Sequence, residues 1–495
     1  MRRFFFMVTT VAALWTGGTQ MMPAQEMTLD EAIATARSSS VKALEARQAF
    51  ISTYWAWRSY QASRLPSFIL YGNLMNYDRS LALLQSPDDG SMKYVSTHNL
   101  QNSLGLRVAQ NIPWTGGTLY LYSDLNRIDQ YGAEKALTWY AQPVTLSYNQ
   151  PLFAYNQFKW DKLIEPREYE RGRRTYLESM EDVTLAAVKA YFGLLEAQEQ
   201  ESMARTNLVN TRRMLQIAGE RLSLGTVTRD EYLQLELRML NDSIAIHESA
   251  LLVRESQMGL NSLLGFDEES QIRPVMEDRF PLLTLDYDEV LDRALENSRF
   301  NLDNEISLLE ARSSVEKAKA ERGVTMSFNA RFGLSKSGEA FWDAYYNPLD
   351  QEVFGLSFTV PIFDWGLGRG KVQKARAAEE VVKAQVQQGE NDYRRKVFTD
   401  VGQFNNQQSQ CAVSRRAMEI ALERYELMME RFREGSATVT DLNTARSESD
   451  AARRKYVGDV GRYWQYYYEI RKETLHDFME GADLVVDENE MTGNL

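Results

Sequence analysis

Apolar and polar positions alternate strictly in two short stretches of this chain. From Val324 to Leu334 the even positions are Val324, Met326, Phe328, Ala330, Phe332 and Leu334, set against Thr325, Ser327, Asn329, Arg331 and Gly333. From Phe354 to Val360 the even positions are again apolar and the odd ones are Gly355, Ser357 and Thr359. A period of two predicts strands with one greasy and one small or polar face. Their length is near the roughly 9–11 residues that cross hydrocarbon at a tilt, which favours lipid outside and water inside. Other stretches change to a period of 3.5. Leu233, Leu237, Leu240, Ile244, His247 and Leu251 are spaced 4, 3, 4, 3, 4, a coiled-coil seam in which His247 is a polar register device. Tyr393, Val397, Val401 and Phe404 carry the same period.

These patterns occur twice. "LSYNQPLFAY" from Leu146 matches "LSFTVPIFDW" from Leu356, an offset of 356 − 146 = 210 residues. "ERLSLGTVTRDEYL" from Glu220 faces "ERFREGSATVTDLN" from Glu430, again 210 apart. Upstream, "LDEAIATA" resembles "YDEVLDRA" with Asp30 opposite Asp288, an offset of 258. The difference, 258 − 210 = 48, is a net insertion in the first copy, before Leu146. Duplication predicts two repeats, 25–265 and 284–477, each a helix, membrane strands and a long helical hairpin. In the first, helices are expected over Thr28–Arg64, Glu165–Ser223 and Thr228–Leu264; in the second, over Tyr287–Arg322, Gly368–Arg433 and Val439–His476. At 1.5 Å per residue the long helices reach roughly 90–100 Å, too long for parts of a globule. Strands in copy one are expected over Pro66–Tyr77 and Val144–Leu152. Between them, alternation around Leu104 and Leu106, the turn "PWTGGT" and Leu119 and Leu121 predict an extra hairpin, inside the barrel wall or outside it.

Composition narrows the compartment. Residues 1–24 read as a signal peptide: Arg2 and Arg3, an apolar run from Phe4 to Trp15, and a small-residue cleavage site after Ala24. A lone Cys411 excludes an internal disulfide. The net charge of −13 argues against nucleic acid. Past the signal no apolar run is long enough for a transmembrane helix, which leaves the β-barrel open. Enzyme signatures are missing. "GLGRGK" at Gly366 lacks the phosphate-loop spacing, and His98, His247 and His476 are scattered, so neither cofactor nor metal is expected. Residues 478–495 read as a loose acidic tail.

In these motifs the chain resembles the TolC family of bacterial outer-membrane channels. "MTLDEAIATA", "QPLFAYNQF", "VPIFDWGLGRGK", "RLSLGTVTRDEY" and "RFREGSATVTDL" carry the likeness, in order and twice, over nearly the whole mature chain. The resemblance implies a mostly helical fold with transmembrane β-barrel strands and two internal repeats. It implies a homotrimer whose shared β-barrel continues as a long periplasmic α-helical barrel. Four common strands cannot close a barrel, and open edges are not tolerated in lipid; three copies would give twelve. The implied function is a passive export conduit in the outer membrane. Its partners would be a periplasmic adaptor and an inner-membrane pump of the resistance-nodulation-division or ABC type. The adaptor would meet the helix turns at Leu224, Gly225 and Thr226, and at Glu434, Gly435 and Ser436. Asp441 falls where the family has an entrance acid, with Glu231 its copy-one counterpart. The second family acid is replaced by Thr444, its tyrosine by Phe432 and its arginine by Ala437, so the family's closing bonds are not carried over. Pro151, Pro361 and Gly366 are expected as strand-to-helix hinges. The rival from another class is a soluble periplasmic coiled-coil adaptor or scaffold, which explains the heptads but not the alternating strands.

Overall fold

The computed structural model describes residues 25–85, 90–131, 135–276 and 283–487. The signal segment and the end of the acidic tail lie outside them. The first copy runs β1 (Gln25–Met27), α1 (Leu29–Ser39), α2 (Val41–Ser63), β2 (Ser67–Gln85), β3 (Met92–Ile112), β4 (Gly117–Tyr131), β5 (Lys135–Leu152), α3 (Gln157–Ser223) and α4 (Arg229–Leu264). After β6 (Ile272–Pro274), the second runs α5 (Tyr287–Asn297), α6 (Arg299–Arg322), β7 (Thr325–Gly338), β8 (Leu349–Thr359), α7 (Leu367–Glu434) and α8 (Val439–Thr474). The short strands β9 (His476–Asp477) and β10 (Ala482–Asp483) follow. Both ends of α4 and α8 differ by 210 residues, and both ends of α1 and α5 by 258.

The chain forms two compact units, one of them built from residues up to Leu44, Met180–Thr284 and Gly402–Glu469. Its core holds large buried side chains, among them Tyr191, Leu194, Phe404, Tyr463 and Tyr467. Phe404 and Tyr463 pack with ring centroids 5.2 Å apart. β1 and β6 pair in parallel. The Tyr191 hydroxyl fixes them, lying 2.9 Å from the Met27 carbonyl and 2.6 Å from that of Val275. The unit's helices start from sequence-coded caps: Thr28 and Thr228 each close a capping box, with Glu31 and Glu231.

The other unit comprises Glu45–Ser179, Leu285–Val401 and the chain from Ile470. It contains a six-stranded antiparallel sheet in the order β2-β3-β4-β5-β7-β8. Aromatic pairs lock the helices here: Phe300 stacks on Tyr393 at 4.3 Å and Trp57 on Tyr169 at 5.5 Å.

Four expectations change. The first helix of each copy is two helices, because Ser40 and Ser298 are extended and act as caps. α3 begins at Gln157, eight residues before the expected Glu165, and carries Pro166 inside it. Every strand of the six-stranded sheet but β8, at 11 residues, is longer than a hydrocarbon crossing requires, up to 21 residues in β3. The tail is ordered as far as residue 487: Asp477 is buried, accepts the Met479 and Glu480 N–H groups, and pairs with Arg471 at 3.3 Å.

Candidate functional site

The sheet has two chemically distinct faces. Cross-strand partners share a face, so Leu70, Leu106, Leu121, Leu146, Phe332 and Phe354 form one band that touches every strand. These side chains stay open, from 40% exposed at Leu146 to 71% at Leu70. The opposite face carries Tyr71, Arg107, Tyr122, Asp124, Ser147 and Arg331. There the Tyr71 hydroxyl donates to the Asp124 carboxylate, and Arg107 lies over the Tyr71 and Tyr120 rings at 5.3 and 5.6 Å. Gly105 leaves room for this link, since a Cβ there would sit 2.1 Å from Asp124 Oδ1 and 2.5 Å from the Tyr71 ring. An exposed apolar band backed by a polar face suits lipid on one side and water on the other.

The two helix turns repeat one construction. α3 stops at Gly225 (φ 73°) and α7 at Gly435 (φ 87°), left-handed conformations that glycine adopts without a Cβ penalty. Thr226 N–H returns to Arg221 O at 3.0 Å, and Ser436 N–H to Arg431 O at 2.8 Å. Leu224 projects from the first turn, 76% exposed. Three residues past each turn comes a threonine cap. Thr228 and Glu231 bond reciprocally at 2.9 and 3.2 Å, as Thr438 and Asp441 do at 3.2 and 3.1 Å. Hydrogen bonds from these threonines hold both carboxyls below their ordinary range, so both stay charged at neutral pH. Asp441 therefore completes the cap that Thr438 begins, as well as being a surface acid.

The structure brings the two turns together. Met214, Ala218, Val227, Leu235, Phe432, Val439 and Leu442 share one buried cluster. Arg221 reaches across to donate to the Phe432 carbonyl at 3.0 Å. Deeper in the same unit lies a group with no sequence signal. Arg446 grips Asp242 through two bonds of 2.9 and 2.7 Å, and Thr211 donates to the same carboxylate at 2.6 Å. All three are buried. The seam residues on α4 are not buried: Leu233, Leu237, Leu240, Ile244 and Leu251 are between 47% and 68% exposed, and His247 is exposed with them.

The hinges differ from expectation at one site. Pro151 lies within β5 and still faces Ser327, so the bend after that strand falls at Phe153, whose φ is 61°. Pro361 follows the end of β8, and the bend comes at Trp365 (φ 53°) and Gly366 (φ 86°). There the Asp364 carboxylate accepts the Gly366 and Gly368 N–H groups at 2.9 and 2.7 Å and opens α7. No feature of the sequence distinguished Phe153.

Comparison with known proteins now adds to this geometry. Residues 290–472 match the family described as outer membrane efflux protein. The chain is 26% identical over 286 residues to the alkaline protease secretion protein AprF of Pseudomonas aeruginosa, covering 56% of this chain and 57% of that protein. It is 24% identical over 346 residues to the pyoverdine export outer membrane protein OpmQ of the same organism, covering 66% of each. Both matches span less than two thirds of the relative's length. The fold is shared with the outer-membrane channel OprN: TM-score 0.64, 15% identity, 90% of this chain and 89% of that one. The chain thus shares its fold with outer-membrane channels such as OprN, and its second repeat, residues 290–472, matches the outer membrane efflux protein family.

Proposed function

We propose that the protein is the outer-membrane channel of a tripartite efflux pump or type I secretion system, acting as a homotrimeric passive conduit. The observation that carries this reading is the six-stranded sheet: one face apolar and open, the other polar, with β2 and β8 each paired on one side only among the described residues. Open edges in lipid leave backbone groups unsatisfied, and joining β8 of one copy to β2 of the next removes them. The exposed leucine stripe on α4 supports the same assembly, since a seam at heptad spacing needs a second helix. Transport of this kind asks no bond-making chemistry of the chain.

The turns at Leu224–Thr226 and Glu434–Ser436 are the docking points for a periplasmic adaptor, which links the channel to a resistance-nodulation-division or ABC pump. Asp441 lines the periplasmic entrance and favours cations, with its copy-one counterpart Glu231 a second candidate. The names of the relatives suggest a protein cargo or a small secreted molecule. The channel reading is tested by fractionating the cell envelope and running detergent-extracted protein with and without heating. A heat-sensitive trimer in the outer membrane that conducts ions in planar bilayers is expected. A water-soluble monomer without conductance overturns the channel and favours the scaffold.

A further inference from the structure

Taking the trimeric channel as given, we propose that its outer-membrane barrel has eighteen strands, six from each protomer, in place of the twelve that four common strands would supply. The extra hairpin is not an appendage. β3 pairs with β2 from Ala109 to Met92 and with β4 from Asn99 to Ile112, and β4 pairs in turn with β5. The hairpin therefore stands between β2 and β5, which would otherwise be neighbours. At 15 and 21 residues its strands are long enough to cross hydrocarbon.

Its faces agree with those of the sheet around it. Leu104, Leu106 and Leu121 are 53%, 51% and 45% exposed, in the same band as Leu70 and Leu146. On the reverse face the Tyr71–Asp124 bond passes over Gly105, tying β2 to β4 across β3. The hairpin turn is anchored at the end where β2 begins and β5 ends. Asn156 Nδ2 donates to the Pro113 carbonyl at 3.0 Å, Gln150 Nε2 to that of Thr115 at 2.9 Å, and Gln110 Nε2 to that of Arg64 at 3.0 Å. A strand pair fixed at one end and laddered on both sides is part of the wall. Because barrel diameter grows roughly linearly with strand number, eighteen strands in place of twelve enlarge the cross-section about twofold. The outlet is then sized for a bulkier cargo than a twelve-stranded ring would pass.

The test images the wild-type trimer in lipid nanodiscs and probes nitroxide labels at Leu106→Cys, Leu121→Cys, Ser103→Cys and Asn126→Cys. An eighteen-stranded ring is expected, with the two leucine positions accessible to oxygen and shielded from an aqueous nickel complex, and Ser103 and Asn126 showing the reverse. A conducting trimer with a twelve-stranded ring, or leucine positions open to nickel, overturns the wide barrel and leaves the channel intact. A particle that is not a trimer overturns both. Should the labelled variants fail to fold, the strand count of the unmodified protein decides alone.

Discussion

Arg446 and Asp242 show what one buried contact does here. Each is almost wholly buried, and the pair depends on its partners rather than on water. Arg446→Leu strands the Asp242 carboxylate and should destabilise the fold by about 3–5 kcal/mol, read as a lower thermal midpoint. Adding Asp242→Leu should recover much of that loss, because two apolar groups leave no orphaned charge. Cys411 makes a second prediction. It is buried, and burial pushes its thiol up to about 11. Thiolate is the reactive form, so a water-soluble maleimide at pH 8 should label the native protein negligibly and the denatured protein fully. Asp441 makes a third. A carboxyl whose pKa is depressed on folding keeps its charge as pH falls, losing it only below the ordinary value of 3.8. Any cation preference that Asp441→Asn abolishes at pH 7 should therefore persist down to about pH 4. If Asp441→Asn leaves selectivity unchanged, the acid completes its helix cap and does no more.

Elements carry the docking argument. Gly435 is the stricter of the two turn glycines: a Cβ there would lie 2.9 Å from Arg221 Nη2, while nothing approaches Gly225. Both replacements by alanine incur roughly 1–2 kcal/mol for a left-handed residue. Gly435→Ala should additionally displace Arg221 from the Phe432 carbonyl, giving the larger fall in thermal midpoint. Leu224→Asp should abolish cross-linking to the adaptor and leave the trimer intact.

Much at this scale was legible in the sequence. Helix ends are written in caps that repeat at fixed offsets, Thr228 and Thr438 before α4 and α8, Gly225 and Gly435 after α3 and α7. Alternation located the strands wherever one face is apolar. It faded toward Tyr77–Gln85, so β2 ran on past the expected end. The start of α3 was hidden because its first turns contain a proline that packing tolerates. The Arg446–Asp242 contact joins residues 204 apart in sequence, and no local pattern encodes such a meeting. Seam residues on α4 were legible as apolar; that they lie bare in a single protomer was not.

At the scale of the whole molecule, the proposed assembly is tested at those bare leucines. Burying a leucine side chain is worth about 1.5–3 kcal/mol, so Leu237→Glu with Leu240→Glu should shift the detergent-extracted protein from trimer to monomer on a gel while helical circular dichroism holds. A trimer that survives both changes would place the interface elsewhere. The insertion in the first copy has an architectural corollary. β2 ends, and β5 begins, at the edge of the sheet away from the helices, and the two extra strands leave and return there. In the proposed channel, strands can be added to or removed from the wall by whole hairpins while α3, α4, α7 and α8 keep their lengths and caps, so the width of the ring and the length of the helices can change independently.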